Sequence, residues 1–404
     1  MKIDRNLLSK QNISINSREL NLFFKDALTN NLSNKHELPR RLEDLIKVII
    51  FFNFIDRLKI YRKFEDLTIE IPVYEPSFWE DNEIYGALNN ILWTFYKRDF
   101  DIQFVKEVGR RKTIKQSKLR EDNPKPLLLF SEGLDSVAAA TQYKNATLVH
   151  VVKSTYPEQY FKQLKDNLFP KRLCKKITYR PTTKTYLDTG VSNSRGLIFL
   201  GLASIHLELE KADTLISGEN GVMIYNPPLF EGSQTTKTMN LSFIKEFEHI
   251  LTKLYERDIK IKTPYKNKTK KEVVSIAYKN LKKKFQFALQ NTHSCFSQQP
   301  SNRGMCGRCY ACILRQMSII PLLGHDPSTY SGNPFIERYH DGKGAVMISD
   351  LIRFSRGVLE NKLPYEAYVI VKENRDLFHR FANESLETIS KVESKSKQLD
   401  YEIN

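Results

Sequence analysis

One stretch narrows the possible folds more than any other: Leu127-Leu128-Leu129-Phe130 runs straight into Ser131-Glu132-Gly133-Leu134-Asp135-Ser136. Four consecutive apolar residues suit a strand buried on both faces. The Ala-rich residues 136–143 suit a helix, and only a short loop separates the two. A helix that opens at the end of a buried strand presents its first backbone N–H groups and its dipole to an anion. Gly133 lets the backbone approach a phosphate, and Ser131 and Ser136 offer hydroxyls. Asp135 suits either a helix cap or a water-mediated hold on Mg²⁺.

The surrounding sequence supplies the rest of that architecture. Strand-like segments at 126–130, 147–152, 177–180, 213–217 and 259–263 alternate with helix-like segments at 136–143, 157–168, 194–210, 239–255 and 269–284. Such alternation predicts an α/β fold with a five-stranded parallel sheet covered on both faces, and ligands of such sheets bind beyond the carboxyl ends of the strands. Before it, residues 1–120 read as an α+β accessory unit, with a largely buried helix at 42–58, a strand near 67–73, a helix at 82–96 and a strand around Ile102 and Phe104. The aromatic residues of this unit are expected in its core. The basic, polar stretch from Arg110 to Pro124 reads as the boundary. The predicted organisation is therefore an accessory domain (1–120), the phosphate-loop domain (121–290), a cysteine loop and helix (291–320) and a helical extension (321–404) that frays from Lys391.

Of 404 residues, 41% are hydrophobic and 27% charged, which excludes global disorder. The polar N-terminus and the short apolar run at 45–55, broken by Lys47 and Asn53, predict a cytoplasmic chain without a membrane span. The formal net charge of +16 suits an anionic partner. Residues 260–284 carry ten lysines and one acid, Glu272, and either a solvated helix face or a binding surface fits that run.

The cysteines number five, and four of them lie within eighteen residues: Cys295, Cys306, Cys309 and Cys312. Two consecutive Cys-x-x-Cys steps with a fourth thiol to close the set match a structural zinc site, and an iron–sulfur cluster is the alternative. His293 is a lesser candidate ligand. Cys174 is expected to be a small packed residue.

The loop resembles the Ser-Gly-Gly-x-Asp-Ser motif of the PP-loop ATP pyrophosphatases. With the cysteine loop the resemblance narrows to the 7-cyano-7-deazaguanine synthases (QueC family). Thr292-His293-Ser294-Cys295 and Cys306-Gly307-Arg308-Cys309-Tyr310-Ala311-Cys312-Ile313-Leu314-Arg315 are similar to that family's zinc loop, and Ser194-Arg195-Gly196, Ile261-Lys262-Thr263-Pro264 and Lys270-Lys271-Glu272 are similar to its intermediate segments. The resemblance covers residues 125–316. It implies that ATP is split to AMP and pyrophosphate with Mg²⁺ present, that the carboxylate of a 7-carboxy-7-deazaguanine is adenylated, and that an amine displaces AMP. It implies that Ser131, Gly133, Leu134, Asp135, Ser136 and Glu219 hold the nucleotide. Asp135, Ser136, Arg195 and Lys270 become the catalytic candidates, and the four cysteines the zinc ligands.

Two departures accompany the resemblance. Glu132 stands where the family has its first loop glycine, a carboxylate expected to point away from a triphosphate or to meet the metal, and strained if the position needs φ > 0. The family's Asp-Cys-Arg substrate signature is missing from residues 217–240. The long build resembles QueC-like proteins of bacterial antiviral systems (Qat and type IV CBASS), which implies an amine on a partner protein as acceptor, with ammonia otherwise. A tRNA-modifying PP-loop enzyme and a catalytically degenerate nucleotide-binding protein are the competing readings.

Overall fold

The computed structural model describes residues 12–14, 35–37, 39–58, 68–108, 113–115, 124–153, 158–179, 193–229, 237–295, 304–333, 335 and 343–403. The N-terminal part runs β1 (Asn12–Ser14), β2 (Lys35–Glu37), α1 (Arg40–Leu58), β3 (Thr68–Val73), α2 (Pro76–Trp79), α3 (Asn82–Tyr96), β4 (Asp101–Lys106) and β5 (Thr113–Lys115). Strands β1, β3 and β4 form a parallel sheet in that order, while β2 and β5 pair antiparallel. β3 alternates as its sequence predicts: Ile69, Ile71 and Val73 are buried and their neighbours are half-buried. α3 keeps the bounds read from sequence because both ends carry stop signals. Asp81 accepts hydrogen bonds from the Glu83 and Ile84 N–H groups, and Lys97 turns left-handed at φ 57°. Of the aromatic residues, Phe51, Phe52, Trp79, Phe95 and Tyr96 lie in the core, whereas Trp93 is exposed.

The central part runs β6 (Leu127–Leu129), α4 (Leu134–Gln142), β7 (Thr147–Lys153), α5 (Glu158–Leu168), β8 (Cys174–Tyr179), α6 (Arg195–Leu209), β9 (Thr214–Ile216), α7 (Gly221–Tyr225), α8 (Leu241–Tyr255), β10 (Lys260–Lys262), α9 (Lys270–Leu281) and α10 (Phe285–Asn291), with a 3₁₀ turn at Lys282–Lys284. All five strands pair parallel in the order β10-β9-β6-β7-β8. Alternate residues of β6 feed opposite faces, so the run is apolar throughout. Leu127 joins a core with α6 and α8, and Leu128 joins one with α4, α5, α9 and α10. The first of these cores continues without a break into α1, β3 and α3. The accessory unit therefore serves as the outer layer of one face of the sheet.

The C-terminal part contributes α11 (Tyr310–Leu323), α12 (Lys343–Glu360), α13 (Tyr365–Glu373) and α14 (Arg375–Ile403). Ile313, Leu314 and Met317 of α11 pack with Leu351, Phe354, Phe378 and Phe381, and with Val222 of α7. The sequence predicts one helical segment over 364–392, and the structure breaks it at Asn374. The helical backbone of α14 runs to Ile403. Among the described residues no helix is long and apolar enough to cross a membrane.

Candidate nucleotide site and cysteine cluster

The strand order dictates where a ligand can lie. From β6 the chain moves outward to β7 and β8, then returns to β9 on the other side of β6. The connections after β6 and β9 thus diverge and leave a crevice at the carboxyl ends of both strands. Those connections are residues 130–133 and 217–220, the segments the sequence singles out.

The phosphate loop closes on itself. Ser136 Oγ lies 2.7 Å from Ser131 O and 2.8 Å from Gly133 O, and accepts the Ser131 N–H at 3.1 Å. Ser131 Oγ accepts the Gly133 N–H at 3.2 Å. Gly133 is the N-cap of α4, with an extended backbone at φ −78°. Its lack of a side chain serves space rather than backbone freedom, since an added Cβ would come within 3.2 Å of Ser131 Oγ. The Leu134 side chain belongs to the core, and its backbone N–H is one of those at the helix start that have no intrahelical partner. Glu132 is buried and does not adopt a left-handed conformation, so the strain expected for a positive φ does not arise. Its carbonyl accepts the His293 N–H at 2.8 Å, tying the loop to the segment that leads to the cysteines.

Asp135 does not cap its helix. Lys270 Nζ donates to its Oδ1 at 2.6 Å, and Asn220 Nδ2 donates to its Oδ2 at 2.8 Å. Lys270 is placed by a capping box at the start of α9: Thr269 Oγ1 accepts the Glu272 N–H, and the Glu272 carboxylate accepts the Thr269 N–H. Asn220 caps α7 by accepting the Met223 N–H. The neighbouring turn depends on Gly218, where an added Cβ would lie 2.9 Å from Asp135 O. Glu219, between these two residues, is pushed up to about 7 by burial and by the Asp135 charge, against the opposing pull of Lys270 and Arg195. Arg195 is exposed at the start of α6, with its guanidinium over the Phe199 ring at 5.3 Å. The structure therefore brings Ser131, Gly133, Asp135, Ser136, Glu219 and Lys270 together around one crevice, with Arg195 at its edge.

Two participants carried no sequence assignment. Asn220 is one; its signal was a capping residue type before a short apolar helix. His150 is the other. Its Nδ1–H donates to Phe130 O at 3.0 Å and its ring stacks on Phe161 at 3.5 Å, fixing the strand end that feeds the loop. Burial pushes this imidazole down to about 4, so it stays neutral. A histidine inside an apolar strand was the available clue.

The thiols of Cys295, Cys306, Cys309 and Cys312 all lie within 4.8 Å of one another, and His293 is outside the set. Cys306 and Cys312 are 3.9 Å apart and Cys295 and Cys309 4.0 Å. A tetrahedron with Zn–S bonds of about 2.3 Å has edges of about 3.8 Å, whereas a disulfide needs about 2.05 Å. The donor set thus fits Zn²⁺. The Cys309 hydrogen bond and burial push the Cys312 thiol up, so a dication is what would hold these sulfurs together as thiolates. Four thiolates around a dication leave net negative charge. Beneath them the fully buried Arg315 guanidinium donates to Leu289 O at 2.6 Å, Thr292 Oγ1 at 3.0 Å and Ser328 Oγ at 3.0 Å, neutral acceptors only among its described bonds.

Residues 175–321 match the family model described as queuosine biosynthesis protein QueC. The 7-cyano-7-deazaguanine synthase of Methanocaldococcus jannaschii is 25% identical over 137 residues, 34% of this chain and 55% of that protein. The synthase of Gloeobacter violaceus is 42% identical over 57 residues, 14% of this chain and 23% of that protein. The chain thus spans about half the length of the first relative and under a quarter of the second. The family match contains Arg195, Glu219, Lys270 and all four clustered cysteines, whereas the phosphate loop, residues 131–136, lies outside it. With the parallel five-stranded sheet and the loop after its central strand, the α/β part of this chain has a PP-loop fold, and over residues 175–321 it is similar to the QueC family.

Proposed function

We propose that this protein is an ATP-dependent ligase that forms AMP and pyrophosphate, adenylates the carboxylate of a 7-deazaguanine, and joins the acyl group to an amine. The observation that carries this reading is the convergence of Asp135, Asn220, Lys270 and Glu219 on the crevice beside the phosphate loop. A carboxylate is a poor acyl donor until its oxygen is esterified to a good leaving group. In the first step the substrate carboxylate oxygen bonds the α-phosphorus, and the bond to pyrophosphate breaks. In the second, the amine nitrogen bonds the acyl carbon and AMP leaves with the electron pair. The open N–H groups of α4, Lys270 and Arg195 are suited to carry the negative charge. Glu219, held at about 7, is suited to take the amine proton at neutral pH.

Mg²⁺ supplies neutralisation of phosphate charge when bound. Asp135 is the carboxylate suited to hold Mg²⁺ beside the phosphates of ATP, since this ion is commonly bound by one or two carboxylates together with substrate phosphates. The zinc role is structural, with no open position among four thiolates. Replacing Cys309 by Ser is expected to lower zinc content and soluble yield together; full stability without zinc would exclude this role.

The acceptor we propose is an amine of a partner protein in antiphage defence, with ammonia as the alternative. The layers outside the PP-loop domain and the missing Asp-Cys-Arg signature support it, because ammonia needs no docking surface. The test is nucleotide product analysis with ATP, Mg²⁺ and 7-carboxy-7-deazaguanine, with and without ammonium. AMP and pyrophosphate formed only when the deazaguanine is present are expected. No AMP under any of these conditions, with co-expressed operon proteins added and their intact masses unchanged, would overturn the ligase.

A further inference from the structure

α1 buries five polar residues, and two of them near its C-terminal end, Asn53 and Asp56, lie one turn apart, away from the Glu43, Asp44 and Lys47 group. Both meet the same residue. Asp56 Oδ2 accepts the Ser194 backbone N–H and the Ser194 hydroxyl, each at 2.9 Å, and Asn53 Nδ2 donates to Ser194 Oγ at 3.0 Å. Ser194 is the N-cap of α6 and is fully buried. A serine at that position ordinarily uses its oxygen to cap its own helix. Here no such bond forms, because the hydroxyl is turned towards α1. Next to it, Asn193 Nδ2 donates to Phe95 O of α3 at 2.9 Å. From the opposite side the backbone of Thr238 presses on Gly196, where an added Cβ would lie 1.6 Å from Thr238 O.

Arg195 stands between these fixed points. Its side chain is exposed and long, so its reach into the crevice depends on where its backbone sits. We infer that Asp56 is a positioning residue for Arg195: the buried carboxylate of the N-terminal unit fixes the start of α6 so that the guanidinium addresses the phosphates of ATP. The inference rests on the nucleotide-binding reading of Arg195 given above. It places part of the nucleotide site's support outside the segment that matches the family, since Asp56 lies well before residue 175.

The experiment is a double-mutant cycle on the full-length chain, reading calorimetric binding of the α,β-methylene analogue of ATP with Mg²⁺. Asp56→Asn is the first variant, and Ser194→Ala, which keeps the backbone bond, stands in if the first does not fold. Each is made in the natural chain and in Arg195→Ala. Weakening of about tenfold in the natural chain, and of less than about twofold in the Arg195→Ala background, is expected for a residue that acts through Arg195. Ser194→Thr keeps the hydroxyl and should restore binding. Equal weakening in both backgrounds, or none in either, overturns the inference while the ligase reading stands. Failure of the unaltered protein to bind the analogue overturns both.

Discussion

The two long extensions of this protein hold the PP-loop domain at two helix starts, and they do so in opposite ways. The N-terminal unit grips α6 through Asp56 and Asn53, which are buried with the serine they hold. The C-terminal extension meets α9 through Glu384, hydrogen-bonded to the buried Thr269, and through an outer ion pair in which Arg380 donates to Glu272 Oε1 at 3.0 Å and to Asn267 O at 2.7 Å while remaining partly exposed. Both contacts sit beside a cation of the crevice, Arg195 or Lys270. Burial makes the difference. In the first contact every lost acceptor leaves a donor with no water to turn to. In the second, water and salt compete with the ion pair throughout.

That contrast is open to measurement. Asp56→Ala leaves the Ser194 N–H and hydroxyl without their acceptor. It should lower unfolding stability by about 2–4 kcal/mol in urea titrations, with little dependence on salt. A loss below about 1 kcal/mol would mean that the α6 contact is as soft as the α9 contact.

Glu219 lies between the two cations, and its proton tests how both are held. Its folded pKa of about 7 is above the usual 4.5, so the folded state binds more protons across that interval. Stability from this group is present below pH 4.5 and is lost as pH rises through 7. Glu219→Gln should therefore match the natural protein near pH 4.5 and exceed it above pH 7. The expected excess is on the order of 1 kcal/mol once solvent screening is allowed for. Parallel pH–stability curves would mean that the two cations offset the cost of burying the Glu219 carboxylate in full.

The smallest effect is expected at the other end of the comparison. Arg380→Ala should cost about 0.5 kcal/mol, and the difference should vanish at about 1 M salt. A salt-independent loss of several kcal/mol would show that α14 holds α9 as firmly as α1 holds α6.

Much of the PP-loop domain was legible in sequence because its signals are local. A continuous apolar run and a loop with Gly133 and hydroxyls act within one turn of chain. The cysteine cluster was legible for the same reason, since three of its members share one tight loop. The contacts that organise the crevice join distant residues, and no local pattern announces them. Asp56 reads as the polar end of an apolar helix until Ser194 is seen against it, 138 positions later. Asn220 reads as an ordinary cap until its amide is found on Asp135. Glu132 illustrates the opposite case: a local rule flagged strain, and the loop accommodates the residue in an ordinary conformation.

The apolar cluster that runs from α1 and α3 through α6 and α8 to the sheet has a consequence for how the molecule melts. A layer that contributes half of a shared interior has no separate transition of its own. Heating should produce one cooperative event for the N-terminal layer and the parallel sheet together, with no shoulder at lower temperature. A chain cut between them should yield two fragments that associate when mixed, each completing the interior that the other lacks.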